Sequence, residues 1–355
     1  MTEERRSPLV GGRRRRRRLP RGVVLVVLLG LSAWVALAVL DAGEESPPTQ
    51  GGGAERAEPG DDPNPPRLLD DARTPSAAAS PERASRFSVD LGSPDAVQIP
   101  FVRKPRAGVL FDVGTGRVLW RRNPQRRLPI ASLTKMMTAL LIVEREDPHD
   151  RVRITRRATR TPGSAIGVLP KGKKVQVEAL LNGLLLVSGN DAAVALAQHS
   201  AGSVPAFVRA MNDRAAELGL ECTRFSTPHG LKDEGNRSCA ADLASLARAD
   251  LHLRRIRRIA RRQRAILTFP IEGGRLFLYN NNPLMRQGYK GVTGLKTGYT
   301  QKAGRSIVAT ARRGDVELGV VLLRSYDPAT QARKLLDRGF KAMRSKQTRS
   351  KADPQ

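Results

Sequence analysis

Three short clusters in this chain carry groups able to do nucleophilic chemistry. Ser132-Leu133-Thr134-Lys135 sets a hydroxyl and an amine three positions apart at the start of a helical pattern, on one face, so the amine can reach the hydroxyl. A serine hydroxyl is a poor nucleophile until a neighbouring base accepts its proton. Lysine serves as that base only when neutral, which requires burial and a second cation nearby. Ser188-Gly189-Asn190 follows 56 residues after Ser132, and Lys296-Thr297-Gly298 a further 108 residues on. Each cluster alone has an ordinary explanation. With 20 Ser and 13 Lys in the chain, a Ser-x-x-Lys pair arises by chance. Ser-Gly-Asn is common helix-capping chemistry, and glycines flanking a strand serve close packing. The three in this order and at these separations form a joint signal that chance does not explain.

The elements that must position these groups are partly legible. Ala107–Asp112 and Arg117–Trp120 around Gly114-Thr115-Gly116 read as two strands joined by a glycine turn. Met136, Met137, Leu140, Leu141 and Val143 recur at helical spacing, and further helices are predicted over 176–187, 190–200, 205–218, 240–252 and 328–344. Strands return at 275–279, 304–312 and 316–323, and Lys296 lies in a strand-like stretch bounded by glycines. Strands at both ends of a helical middle imply one shared sheet, hence an α+β or mixed α/β class with a helical subdomain.

Composition narrows the classes. The chain has 355 residues and a net charge of +28, yet only 4% aromatic residues, too few for the stacking platforms of single-strand nucleic-acid binders. No nucleic-acid partner is therefore expected. Its two cysteines exclude a Cys₄ zinc site, and the four scattered histidines offer no metal-binding pair, so no metal or other cofactor is expected. Residues 1–21 hold nine Arg against two Glu and precede an uncharged apolar stretch, 22–40, which as a helix spans about 28 Å. That pattern predicts a cytoplasmic N-terminus and a membrane anchor, with the rest of the chain outside the cell membrane. Ala36-Leu37-Ala38 also fits a cleavage site, so a removed signal peptide and a secreted product stay open. Residues 41–100, with ten prolines and a net charge of −7, read as a disordered tether about 40–50 Å in reach. The catalytic domain is expected over 101–345 and a polar tail over 346–355.

The chain resembles the serine penicillin-recognising enzymes, and within them the D-alanyl-D-alanine carboxypeptidases, or low-molecular-mass penicillin-binding proteins, of peptidase family S11. The resemblance runs from about Ala107 to Phe340. It rests on the stretches Leu128–Lys135, Ser188–Ala192, Thr227-Pro228-His229-Gly230-Leu231, Asn282-Pro283-Leu284-Met285 and Gly294–Thr300. It implies an antiparallel sheet flanked by helices, and removal of the terminal D-Ala from peptidoglycan stem peptides through an acyl-enzyme on Ser132, with Lys135 as base. By the same resemblance Ser188 relays a proton and Asn190 binds the substrate backbone. Lys296 and Thr297 attract the terminal carboxylate, and the backbone N–H groups of Ser132 and Tyr299 form the oxyanion hole. β-Lactam antibiotics are the implied covalent inhibitors. Asn236-Arg237-Ser238-Cys239 departs from the family pattern, which bears on local packing.

A β-lactamase is the alternative within the same chemistry, but it needs a carboxylate to activate the deacylating water. No Glu-x-x-Leu-Asn lies between Ser188 and Lys296. A non-catalytic penicillin- or wall-binding module is the alternative outside enzymes, and the intact Ser132 and Lys135 argue against it. His229 sits in a Pro-His-Gly loop and is expected to be structural. Cys222 and Cys239 are expected to pair if the domain is exported, with two buried thiols as the alternative.

Overall fold

The computed structural model describes residues 86–231 and 235–352. The Arg-rich segment 1–21, the apolar stretch 22–40 and the tether up to residue 85 lie outside the described residues. No described helix is long and apolar enough to cross a membrane.

In chain order, β1 (Ala107–Asp112) and β2 (Val118–Arg122) form a hairpin. β3 (Leu128–Pro129) then leads into a 3₁₀ turn, Ala131–Thr134, and α1 (Lys135–Arg145). Next come β4 (Arg151–Arg153), α2 (Arg156–Thr159), β5 (Lys174–Gln176), α3 (Val177–Leu186), α4 (Asn190–Ala201) and α5 (Val204–Glu217). β6 (Arg237–Ser238), α6 (Ala240–His252), α7 (Arg254–Ala260) and the hairpin of β7 (Arg264–Thr268) and β8 (Arg275–Tyr279) follow. The chain continues through α8 (Pro283–Arg286), three long strands β9 (Val292–Thr300), β10 (Gly304–Arg313) and β11 (Val316–Ser325), and α9 (Pro328–Ala352).

Five strands form one antiparallel sheet in the order β2-β1-β11-β10-β9. β1 pairs with β11, Ala107 opposite Leu323 and Asp112 opposite Leu318, so the two ends of the domain meet as the sequence pattern implied. Both faces of this sheet are covered, which is why Leu318 to Leu323 reads as an almost continuous apolar run. Leu318, Val320 and Leu322 pack with Leu110 and Ile307 against Ala332, Leu335, Leu336 and Phe340 of α9. Val321 and Leu323, with Val109, Phe111 and Val308, join the core shared with the helical layer. Gly319 interrupts the run because a Cβ there would lie 2.3 Å from the Phe111 ring. Within the helical layer α1 is buried from Lys135 through Ile142, the mark of a helix enclosed on all sides.

The folded domain begins before residue 101. Val97 is buried and donates its N–H to Leu119 O at 2.9 Å, Asp90 bridges to Arg117, and Phe87 packs against the His252 ring. Arg248 donates to Ser88 O. The expected tether therefore ends near residue 86. Phe87, Val89 and Leu91 pack against the core, a signal masked by Pro94 and Pro100 in a reading by composition. At the other end α9 continues to Ala352, past residue 344, through residues of good helix propensity. Cys222 and Cys239 form a disulfide with a Cα separation of 5.6 Å. The loop it closes is short, and chain-entropy arguments assign such a bond about 3 kcal/mol.

Candidate active site

Ser132 sits in the 3₁₀ turn between β3 and α1, and not within the long helix itself. Ala131 before it has φ +47°, a conformation that non-glycine residues rarely take, and this bends the chain sharply ahead of the nucleophile. Lys135 is the first residue of α1 and is fully buried. Its Nζ lies 2.8 Å from Ser132 Oγ, 2.7 Å from Asn190 Oδ1 and 2.8 Å from His229 O. As an ammonium it donates to all three; as a neutral amine it keeps two donors and turns its lone pair to the serine hydroxyl.

Two loops complete this environment. Ser188, buried with φ +63°, turns the chain from α3 to α4, so that Asn190 opens α4 facing the lysine. The Asn190 amide also donates to Pro162 O at 2.7 Å, which leaves one Nδ2 hydrogen for a substrate. Asp191 accepts from the backbone N–H groups of Ile166 and Gly167, tying the 162–167 loop to the same corner. In the second loop, Thr138 Oγ1 donates to Pro228 O at 2.6 Å, and Gly230 has φ +76° with a would-be Cβ 2.0 Å from Ala131 O. Only glycine fits between that loop and the nucleophile turn. His229 contributes its carbonyl, while its Nδ1 accepts from Leu231 N. Asn236 braces this loop through Ser226 and Thr227, and Ser238 pairs with Leu128 of β3, so the unusual 236–239 stretch concerns packing.

The third cluster arrives on β9, the edge strand. A Cβ on Gly298 would lie 2.9 Å from Ile130 O and 3.3 Å from Leu133 N, so the missing side chain lets β9 lie directly against the serine turn. Lys296 is buried, and its Nζ donates to Thr297 O at 2.9 Å. Thr297 Oγ1 meets Asn281 Oδ1 at 3.1 Å, and Tyr299 is exposed at the rim. The sequence pattern singled out Asn282-Pro283-Leu284-Met285 but not Asn280 and Asn281. Asn281 N donates to Leu186 O, Asn280 holds the strand through Ala260 O and Arg262 O, and Asn282 donates to Gly294 O. The run of three asparagines ahead of a proline was the available signal, since adjacent amides in a loop usually fix backbone.

The electrostatics favour a neutral base. Burial, reinforced by the Lys296 charge, holds Lys135 well below the usual lysine range, with Asp191 pulling weakly the other way. Burial lowers Lys296 to about 7. The arrangement thus offers a hydroxyl beside an amine whose proton is weakly held, and a second amine that changes charge near neutral pH.

Comparison with known proteins agrees with this geometry. The family profile for D-alanyl-D-alanine carboxypeptidases, peptidase S11, matches residues 97–326. The chain is similar to D-alanyl-D-alanine carboxypeptidase DacF of Bacillus subtilis, 37% identical over 243 residues that make up 66% of this chain and 62% of that protein. It is also similar to DacB2 of Mycobacterium tuberculosis, 35% identical over 240 residues, covering 65% of this chain and 81% of the relative. The fold matches the crystal structure of a D-alanyl-D-alanine carboxypeptidase from M. tuberculosis H37Rv with TM-score 0.64 and 32% identity, over 71% of this chain and 96% of that one. A Streptomyces K15 DD-transpeptidase variant aligns over 68% of this chain and 100% of its own, with TM-score 0.64 and 27% identity. The chain spans just over three-fifths of the length of the B. subtilis relative and of the Escherichia coli DacC relative, 62% and 61%.

Proposed function

Because the chain belongs to the D-alanyl-D-alanine carboxypeptidase family, we propose that it is a serine-type DD-carboxypeptidase acting on peptidoglycan stem peptides that end in D-Ala-D-Ala. The observation that carries this reading is the 2.8 Å contact between Ser132 Oγ and the buried amine of Lys135, with Lys296 close enough to depress that amine. Ser132 Oγ attacks the carbonyl carbon of the penultimate D-Ala while its proton passes to Lys135. The oxyanion takes hydrogen bonds from the backbone N–H groups of Ser132 and Tyr299, donors of a kind worth roughly 3–4 kcal/mol each. Collapse breaks the C–N bond. The departing amine of D-Ala regains the proton by way of Ser188, and water then hydrolyses the ester, with Lys135 accepting and returning its proton. Lys296 and Thr297 hold the terminal carboxylate, and Asn190 offers its remaining Nδ2 hydrogen to the substrate backbone.

β-Lactams would acylate the same serine and leave it slowly. The carboxylate next to the site, Asp191, is engaged by the backbone amides of Ile166, Gly167 and Ala192. The Arg-rich N-terminus and the apolar 22–40 stretch support a membrane-tethered, extracytoplasmic domain, where such a substrate lies. Incubation with a D-Ala-D-Ala pentapeptide tests the activity: wild type releases free D-Ala and forms a penicilloyl adduct by mass spectrometry, whereas Ser132→Ala does neither. A wild-type protein that binds penicillin covalently yet frees no D-Ala would overturn the carboxypeptidase reading, and rapid turnover of a chromogenic β-lactam would make it a β-lactamase.

A further inference from the structure

The β7–β8 hairpin has one face buried and one face bare. Ala265, Leu276 and Leu278 point into the core. The opposite face carries Ile266, Phe277 and Tyr279, which are 51%, 55% and 61% exposed. Ile266 stands directly across from Phe277, and Arg264 across from Tyr279, so the side chains form one contiguous patch. Arg264 and Arg275 are exposed on this same face, while the hairpin's one acid, Glu272, lies in the turn between the strands. A strand pair of this length presents a face about 15 Å long. Soluble surfaces scatter large apolar residues singly, and a paired cluster edged with arginine marks a binding surface.

Its position says what binds. β8 runs from Tyr279 straight into Asn280–Asn282, and Asn281 touches Thr297, one of the two residues placed at the substrate carboxylate. Asn280 N donates to Gln263 O at 2.8 Å, which fixes the Tyr279 end of the hairpin to the frame of the cleft. Whatever extends from the cleft along this wall meets Tyr279 and Arg264 first, then Phe277, Ile266 and Arg275. Resting on the activity proposed above, we infer that this face is a docking platform for polymeric peptidoglycan: the aromatic rings take the C–H faces of the sugars, and the two arginines take carboxylates of acidic stem peptides. A polymer gains from the platform, whereas a short free peptide is bound by the catalytic subsites alone.

The test compares the full-length wild type with Phe277→Ser/Tyr279→Ser and with Arg264→Gln/Arg275→Gln, all exposed positions outside the catalytic machinery. Both variants are expected to release D-Ala from a soluble pentapeptide within twofold of wild type. On insoluble peptidoglycan their kcat/KM is expected to fall at least fivefold, through KM, with a matching loss of co-sedimentation with purified sacculi. Equal rates and equal co-sedimentation for all three proteins would overturn the platform, as would loss of binding to anionic phosphatidylglycerol vesicles in place of sacculi. Should no protein release D-Ala from either substrate, the carboxypeptidase reading fails. The co-sedimentation arm then still decides the platform.

Discussion

On the proposed mechanism Lys135 and Lys296 do opposite work with the same functional group; both are buried, and the charge of Lys296 acting on Lys135 sets them apart. Burial and the Lys296 charge hold Lys135 well below the usual lysine range, while Lys296, near 7, changes charge in the working range. In the free enzyme the active form has Lys135 neutral and Lys296 cationic. The kcat/KM profile for a pentapeptide is therefore expected to be bell-shaped. Its alkaline limb sits near pH 7, falling about tenfold per unit above it, and its acid limb reports protonation of Lys135. Substrate carboxylate stabilises the Lys296 cation, so the alkaline limb of kcat moves upward, and Lys296→Gln should abolish that limb altogether. Asn281 acts through Thr297. Loss of one such hydrogen bond, about 1 kcal/mol, predicts for Asn281→Ala a roughly fivefold rise in KM with kcat within twofold, read from steady-state D-Ala release.

Among the elements, the serine turn is wedged between the Thr227–Leu231 loop and β9, and glycine is required at both contacts. Gly230→Ala would press a methyl into Ala131 O while forcing alanine to φ +76°. Acylation by fluorescent penicillin is expected to slow at least 100-fold. Gly202→Ala is the control: its φ is +70°, with nothing within 4 Å of the new Cβ, so it costs about 1 kcal/mol of stability and leaves acylation unchanged. The sequence showed the residues of these elements better than their arrangement. Periodicity located α6 to the residue, because its apolar positions repeat at a fixed interval, and the glycine turn that follows β1 located that strand. It did not show that Ser132 precedes the helix in a 3₁₀ turn, nor that the His229 carbonyl and Asn281 amide complete the site. Those contacts join residues 94 and 16 positions apart, and neither local spacing nor composition encodes them. β7 went unread for a related reason: Arg264, Ile266 and Thr268 face outward, so the strand lacks a clean apolar–polar alternation.

For the molecule as a whole, a charge unconnected with catalysis limits stability. Asp250 on α6 is completely buried, neither carboxyl oxygen has a hydrogen-bond partner, and burial together with the nearby Glu144 carboxylate raises it well above the usual range. Folded, it holds its proton to a higher pH than in the unfolded chain, where it ionises near pH 4. Above that pH, folding must take up a proton, so stability falls as pH rises toward the folded value. Asp250→Leu, similar in shape, is expected to raise the melting temperature at pH 8 by the equivalent of roughly 1–3 kcal/mol, with the gain shrinking toward pH 4. Thermal melts across that interval check it, and a gain independent of pH would show that packing, not ionisation, is responsible.

The two amines buried at the cleft have a last consequence. Once Lys296 is protonated it has a carbonyl for company and, among the described residues, no counter-ion bonded to it, a local deficit of negative charge. Any small carboxylic acid of fitting size relieves that deficit, the released amino acid included. Reaction product should thus linger and slow the next cycle, and simple buffer acids such as acetate should compete with substrate in the assay tube.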